Sequence, residues 1–326
     1  MSRPRLLVLS LGGTITMVPS AGGGIAPKLG AAELVASVPA LADVAEIEAR
    51  SPFRLPSPSL TPAMLVEVAA EISRSFADGC DGAVVIQGTD TIEESAFLLD
   101  LLVDGDLPVV MTGAMRGAEA PGADGAANLL AAARVAAAPA ARGLGTLAVL
   151  NYDIHAARFV QKTHTTLPSA FVSPLVGPLG VVAEGRPRLF ARLTRNPTLR
   201  LDAGPPAPVA LLRVSMGDDG RLLEALPGLG FAGAVIEGMG AGHVHADVAP
   251  RLGELARRMP VVLAARPAAG LVFTATYGYP GGEIDLIARG LIPAGYLSGA
   301  KARLLLGLAL RGGGREAAAE AFAPYQ

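Results

Sequence analysis

The sequence predicts an α/β fold, with a larger N-terminal parallel-sheet domain flanked by helices and a smaller C-terminal α/β domain. Short apolar runs recur along the chain and are typical of buried parallel strands, because both faces of such strands are covered. Helical segments follow most of these runs, as crossover connections require. At 326 residues the chain is also too long for one typical compact domain.

The N-terminal domain is predicted from four apolar runs and three helices. We expect strands over residues 5–10, 82–86, 107–112 and 144–151. The first helix should run to about Asp78, with Thr61 as its N-cap and Pro62 in its first turn. The stretch 91–94 resembles a capping box that opens a helix through Leu102, and an alanine-rich helix is expected over 124–138.

A polar, proline-rich stretch predicts the domain boundary. We therefore expect an N-terminal catalytic domain over residues 1–190, a linker over 191–208 and a C-terminal domain over 209–326. The last of these should contain strands over 209–214, 233–236 and 260–264, and helices over 246–259 and 298–311. Glycines 312–314 should end the last helix, which would leave the final dozen residues peripheral.

Composition narrows the class of protein. No apolar run approaches the length needed to cross a bilayer, and the N-terminus does not resemble a signal peptide, so we expect a cytoplasmic protein with no membrane partner. A net charge of −2 with interspersed signs offers no basic surface for nucleic acid. The single cysteine, Cys80, excludes an intrachain disulfide framework. A small molecule is the expected partner.

Two Gly-Thr turns are the most informative motifs. Leu11-Gly12-Gly13-Thr14 follows the first predicted strand, and Gln87-Gly88-Thr89-Asp90 follows the second. Ligands of a parallel α/β sheet bind beyond the carboxyl ends of its strands, and glycine lets the backbone come close to a ligand there. One such turn alone is more often an ordinary tight turn, but two on one sheet favour a site with exposed threonine hydroxyls.

A threonine hydroxyl needs a proton acceptor before it can act as a nucleophile. Thr89 could relay a proton to a lysine, and Asp90, at a helix N-terminus that favours negative charge, could hold that lysine. Few lysines are available, and Lys162 follows a predicted strand and its loop. For Lys162 alone, a solvated surface position would be the more common role.

These motifs together resemble the bacterial-type L-asparaginase family. The resemblance rests on 11–15, 87–91, Thr112-Gly113-Ala114-Met115-Arg116 and Lys162-Thr163, and extends to 301–306, so it covers nearly the whole chain. It implies a two-domain α/β fold and a homotetramer made of two intimate dimers. No metal or organic cofactor is implied.

The family resemblance also implies a role for each motif residue. Thr14 would attack the side-chain carboxamide of asparagine, ammonia would leave, and water would hydrolyse the acyl-threonine ester to give aspartate. Thr89, Asp90 and Lys162 would handle protons, while backbone amides near Thr14, Thr89 and Ala114 would stabilise the oxyanion. Some glutaminase activity would accompany this.

Substrate recognition is implied in the same way. Ser57 matches the family's substrate-binding serine, and Thr89 and Asp90 would also contact the substrate. Glu283 corresponds to an acid that a neighbouring subunit contributes to bind the ammonium group. As residues taken singly, an ordinary turn serine and a surface acid remain equally good interpretations of Ser57 and Glu283.

Three departures from the family pattern leave alternatives open. The loop after Thr14 has no tyrosine, Pro58 follows the binding serine, and His243 replaces an asparagine. An amidase for another small amide and a non-catalytic amino-acid sensor therefore remain alternatives. His243 and His245 have a spacing that suits a metal, but no third ligand is evident, so we predict no metal site.

Overall fold

The computed structural model describes residues 3–19, 25–27, 29–199 and 206–326. Part of the loop that follows Thr14, residues 20–24, lies outside these ranges. The chain divides into two compact units, Met1–Thr198 and Leu199–Gln326. The expected α/β class with a larger N-terminal and a smaller C-terminal sheet is confirmed.

The first unit contains four helices and twelve strands among its described residues. The helices are α1 (Ala31–Ala36), α2 (Pro62–Ala77), α3 (Ile92–Leu102) and α4 (Gly125–Ala136). The strands are β1 (Arg5–Ser10), β2 (Met17–Pro19), β3 (Ile25–Pro27), β4 (Glu46–Arg50), β5 (Gly82–Ile86), β6 (Val109–Thr112), β7 (Thr146–Leu150), β8 (Asp153–Ala156), β9 (Gln161–Lys162), β10 (Phe171–Val172), β11 (Gly180–Ala183) and β12 (Arg186–Leu189).

Eight of these strands form one sheet in the order β12-β11-β8-β7-β6-β5-β1-β4. The neighbouring strands β7, β6, β5, β1 and β4 are parallel, as predicted for the first four, while β4 is not among the predicted strands. Strands β8, β11 and β12 extend the sheet in antiparallel fashion. Strands β9 and β10 form a separate two-stranded hairpin. The site predicted from the Gly-Thr turns therefore lies at the carboxyl ends of central parallel strands.

Both faces of the central strands of this sheet are buried. Along β5, for example, Val84 and Ile86 belong to a core cluster with Leu129 of α4. The alternating neighbours Ala83 and Val85 are also fully buried and face the opposite side, where α3 packs on β6 and β7. This two-sided burial explains the continuous apolar runs of the sequence.

Two local predictions about helix ends have different outcomes. Thr61 caps α2, because its side chain accepts a hydrogen bond from the Met64 amide at 3.3 Å. The capping box predicted at 91–94 is wrong, since the Thr91 hydroxyl makes no cap bond and instead donates to the Ser57 carbonyl at 3.2 Å. The segment that precedes α3, Thr89–Thr91, is a single 3₁₀ turn.

The second unit has a four-stranded parallel sheet in the order β13-β14-β15-β16. Its strands are β13 (Val209–Arg213), β14 (Gly233–Gly238), β15 (Val261–Ala265) and β16 (Ile292–Pro293). Its helices are α5 (Val248–Arg258), α6 (Glu283–Ala288), α7 (Gly299–Ala309) and α8 (Arg315–Phe322). The prediction that the final dozen residues are peripheral is wrong, because α8 packs against α7 and fully buries Phe322.

Candidate active site

The two Gly-Thr turns lie side by side. Strands β1 and β5 are neighbours, with Ser10 opposite Ile86, and beyond them the backbones of Gly13 and Gly88 are in direct contact. A Cβ atom built on Gly13 would lie 2.0 Å from the Gly88 nitrogen, and Gly13 has a φ of +92°. Only glycine fits there, which places the following residues, Thr14 and Thr89, on adjoining segments of backbone.

Ser57 belongs to the same group. It is 2% exposed and begins a 3₁₀ turn, Ser57–Ser59. A Cβ atom on Gly88 would lie 2.8 Å from its Oγ, so the serine hydroxyl is packed directly against the second Gly-Thr turn. Together with the bond from Thr91 to its carbonyl, this fixes Ser57 beside the turn that contains Thr89.

Thr89, Asp90 and Lys162 form a hydrogen-bonded group. The Lys162 Nζ donates to Thr89 Oγ1 at 2.9 Å and to Asp90 Oδ1 at 2.6 Å. Thr89 is buried, the Lys162 side chain is 14% exposed and that of Asp90 is 61% exposed. The lysine therefore connects a buried hydroxyl to a solvent-facing carboxylate, an arrangement that can pass a proton between the site and water.

A further carboxylate holds the backbone of Lys162. Glu93, in the first turn of α3, accepts a hydrogen bond from the Lys162 amide at 2.6 Å. Sequence reasoning assigned Glu93 only to the capping box. The sequence spacing could have identified Glu93 as a site residue, because a carboxylate three residues after Asp90 lies on the same side of a helical turn. Glu93, Asp90 and Lys162 together line an open cleft of about 420 Å³.

The expected oxyanion donors lie on well-packed backbone. Thr14 begins a 3₁₀ turn, Thr14–Thr16, in which the Thr16 amide donates to the Gly13 carbonyl at 2.9 Å. Ala114 is 1% exposed, and the preceding Gly113 approaches so closely that a Cβ atom on it would lie 2.5 Å from the Gln87 carbonyl oxygen. The role of these amides stays a prediction.

Glu283 lies in the second unit, where it has its own partners. Its side chain is fully buried. One carboxylate oxygen accepts the amides of Thr276 and Tyr277 at 2.8 and 2.7 Å, and the other lies 3.1 Å from His243 Nε2. Burial raises the pKa of the Glu283 carboxyl, but these hydrogen bonds outweigh burial, so the pKa lies below its ordinary value.

His243 is surrounded by aromatic side chains. Its Nδ1 lies 3.0 Å from the Tyr279 hydroxyl, and the rings of Tyr277 and Tyr279 meet it edge-on. His243 thus bridges Tyr279 and Glu283. His245 instead accepts the Asp247 amide, and no group of three or more potential metal ligands occurs within the part of the chain that the structure describes.

Comparison with known proteins identifies the family. Residues 5–195 match the family described as Asparaginase, N-terminal, and residues 208–322 match the Glutaminase/Asparaginase C-terminal domain. A probable L-asparaginase of Deinococcus radiodurans is 40% identical, over 94% of this chain and 92% of that protein. A glutaminase-asparaginase of Pseudomonas aeruginosa is 33% identical, over 78% of this chain and 72% of its own length.

A solved structure agrees with these sequence comparisons. The crystal structure of a probable cytoplasmic L-asparaginase from Campylobacter jejuni has a TM-score of 0.86 and 32% identity, covering 98% of this chain and 99% of its own. The fold and site therefore define an amidohydrolase with a two-unit α/β architecture. The chain belongs to the asparaginase family, and it is an enzyme. Within the described residues, no helix combines the length and apolar character needed to cross a bilayer.

Proposed function

We propose that this chain hydrolyses L-asparagine to L-aspartate and ammonia, with Thr14 as the nucleophile. The main support for the proposal is the hydrogen-bonded group of Thr89, Lys162 and Asp90, which lies beside the contact between Gly13 and Gly88. Membership of the asparaginase family supplies the reaction class. Weaker hydrolysis of glutamine is part of the proposal, since a relative is named a glutaminase-asparaginase.

The reaction proceeds through an acyl-enzyme in two steps. Thr14 Oγ bonds to the carboxamide carbon, its proton passes to the group of Thr89 and Lys162, and the amide leaves as ammonia with that proton. Water then attacks the acyl-threonine ester, which releases aspartate and restores the Thr14 hydroxyl. Backbone amides near Thr14, Thr89 and Ala114 stabilise the oxyanion in both steps.

Ser57, Thr89, Asp90 and Glu283 bind the substrate. The Ser57 hydroxyl suits the α-carboxylate, while the exposed Asp90 carboxylate offers a counter-charge to the α-ammonium. We propose that Glu283 comes from a neighbouring subunit of a homotetramer made of two intimate dimers, which would make the complete site depend on assembly. We also propose a cytoplasmic location, because the similar Campylobacter jejuni protein is described as a probable cytoplasmic L-asparaginase.

A substrate panel tests the proposed function. Ammonia release is measured under steady-state conditions with asparagine, glutamine and several unrelated small amides. Asparagine is expected to give the highest kcat/KM, followed by glutamine. Turnover of asparagine no faster than that of unrelated amides would contradict the proposal. Calorimetry with aspartate completes the test, because tight binding without ammonia release would identify a sensor.

An amidase for another small amide is the second candidate. Two substrate-facing positions of the family pattern differ here, with Pro58 after Ser57 and His243 in place of an asparagine. His243 lies between Tyr279 and Glu283 and contacts both. This position therefore keeps a polar side chain, but an imidazole ring replaces the amide of the family pattern. The same panel would reveal this activity as preferred turnover of an amide other than asparagine.

A further inference from the structure

The strand that presents Lys162 is not part of the main sheet. Strand β9 consists of Gln161 and Lys162, and among the described residues its one pairing is with the equally short β10. A two-stranded hairpin of this length has little stability of its own. The position of the Lys162 backbone must therefore be set by contacts with neighbouring elements.

Glu93 makes such a contact at the backbone itself. Its Oε2 accepts the Lys162 amide at 2.6 Å, a bond from a neutral donor to a carboxylate that is stronger than one between neutral groups. Glu93 lies in the first turn of α3, directly after the 3₁₀ turn that contains Thr89 and Asp90, and follows these two residues by four and three positions. Helical residues at these separations are neighbours on one face.

One segment thus holds Lys162 at both ends. Its Nζ is bonded to Thr89 and Asp90, and its amide nitrogen is bonded to Glu93. We propose that Glu93 is a positioning residue that fixes the Lys162 backbone, so that the ammonium group meets Thr89 Oγ1 at hydrogen-bonding distance. This inference rests on the proposed function for its catalytic consequence, but not for the placement of Lys162.

Glu67 provides a control for the loss of one helical carboxylate. It is exposed on α2, whereas Glu93 is partly buried in the first turn of α3. The bond to the Lys162 amide belongs to Glu93. Glu93→Gln separates this bond from the negative charge, because the amide side chain keeps an oxygen acceptor.

Kinetics of three variants test the catalytic consequence. Glu93→Ala is expected to lower kcat for asparagine by about 10²-fold with little change in KM, because misplacing a reacting group by about 1 Å has an effect of this size. Glu93→Gln keeps an oxygen acceptor for the Lys162 amide, so its kcat should be about tenfold higher than that of Glu93→Ala. Glu67→Ala should stay close to the unmutated enzyme. Equal losses for Glu93→Ala and Glu67→Ala would overturn the proposal.

Amide hydrogen exchange tests the placement without any substrate. Exchange at the Lys162 amide, followed by NMR in the folded protein, should be at least about tenfold faster in Glu93→Ala and unchanged in Glu67→Ala. Unchanged exchange in Glu93→Ala would overturn the proposal, whatever its kinetics. If exchange rises as expected but the unmutated protein releases no ammonia from asparagine, then the proposed function fails while the positioning by Glu93 stands.

Discussion

The backbone of Gly13 lies directly against that of Gly88, and this contact joins the two Gly-Thr turns into one site. Neither position has room for a side chain. At Gly13 the nearest atoms to a built Cβ are backbone atoms of Gly88 and Gln87, which cannot rotate away as a side chain could. The relative placement of Thr14 and Thr89 is therefore fixed by the backbone of the two turns that follow β1 and β5.

Substitution of Gly13 should disrupt both stability and activity. Gly13→Ala is expected to destabilise the protein by about 2–5 kcal/mol, since a residue with positive φ and an overpacked Cβ both cost free energy. Gly105 is the matched control, because it has the same φ of +92° but no atom within 4 Å of a built Cβ. Gly105→Ala should cost only about 1–2 kcal/mol and retain activity. Equal costs in chemical denaturation would contradict the contact described above.

The Thr89 hydroxyl should matter more than the size of its side chain. Thr89→Val removes the acceptor for Lys162 Nζ with nearly the same shape, and we expect a loss of about 10²–10⁴ in kcat. Thr89→Ser keeps the hydroxyl and should retain most activity. The double variant Thr89→Val with Lys162→Met should lose little more than the worse single variant, because the two groups act as a unit. Additive losses would show that they act separately.

Buried His155 should make the protein less stable in mild acid. Burial lowers its pKa to about 4 from an ordinary 6.5, so the unfolded chain binds a proton at a pH where the folded protein does not. The free energy of unfolding should therefore fall by about 3 kcal/mol between pH 6.5 and pH 4 through this group.

One variant isolates the contribution of His155. His155→Leu should remove this part of the pH dependence, measured by urea denaturation across the same range. An unaltered pH dependence in His155→Leu would mean that His155 is not the group responsible.

Glu283 should stabilise the second unit as an anion. Its carboxylate accepts two backbone amides and contacts His243, so Glu283→Gln is expected to cost about 1–3 kcal/mol at pH 7. Because the folded pKa is below the ordinary 4.5, this stability is present above pH 4.5 and is lost as the pH falls through the folded pKa. The exposed Glu254→Gln should change stability by less than about 0.5 kcal/mol.

The sequence was most informative where its patterns are long. Strands β1 and β5 are predicted correctly because burial on both faces requires unbroken apolar runs. Strands β9 and β10, with two residues each, are too short to have any periodicity. The antiparallel β11 and β12 are also missed, since β12 contains two arginines and a proline and is only partly covered.

Within the site, contacts between residues close in the sequence could be predicted, whereas contacts between distant residues could not. The adjacency of the Gly-Thr turns follows from parallel neighbouring strands, and Thr89 next to Asp90 is visible in the chain. The bond from Lys162 to Glu93 joins residues 69 positions apart, and the one between His243 and Glu283 spans 40. Such pairs depend on tertiary packing, which also redirects the Thr91 hydroxyl from its expected cap to Ser57.

Ammonia release from asparagine by Thr14→Ala, compared with the unmutated enzyme, is the decisive test of Thr14 as the nucleophile. Calorimetry with aspartate serves as the control that the variant still folds and binds. We expect a fall in kcat of about 10⁴-fold or more with aspartate binding retained, because the acyl-enzyme can no longer form. Activity within tenfold of the unmutated enzyme, in a variant that binds aspartate normally, would rule out that role for Thr14.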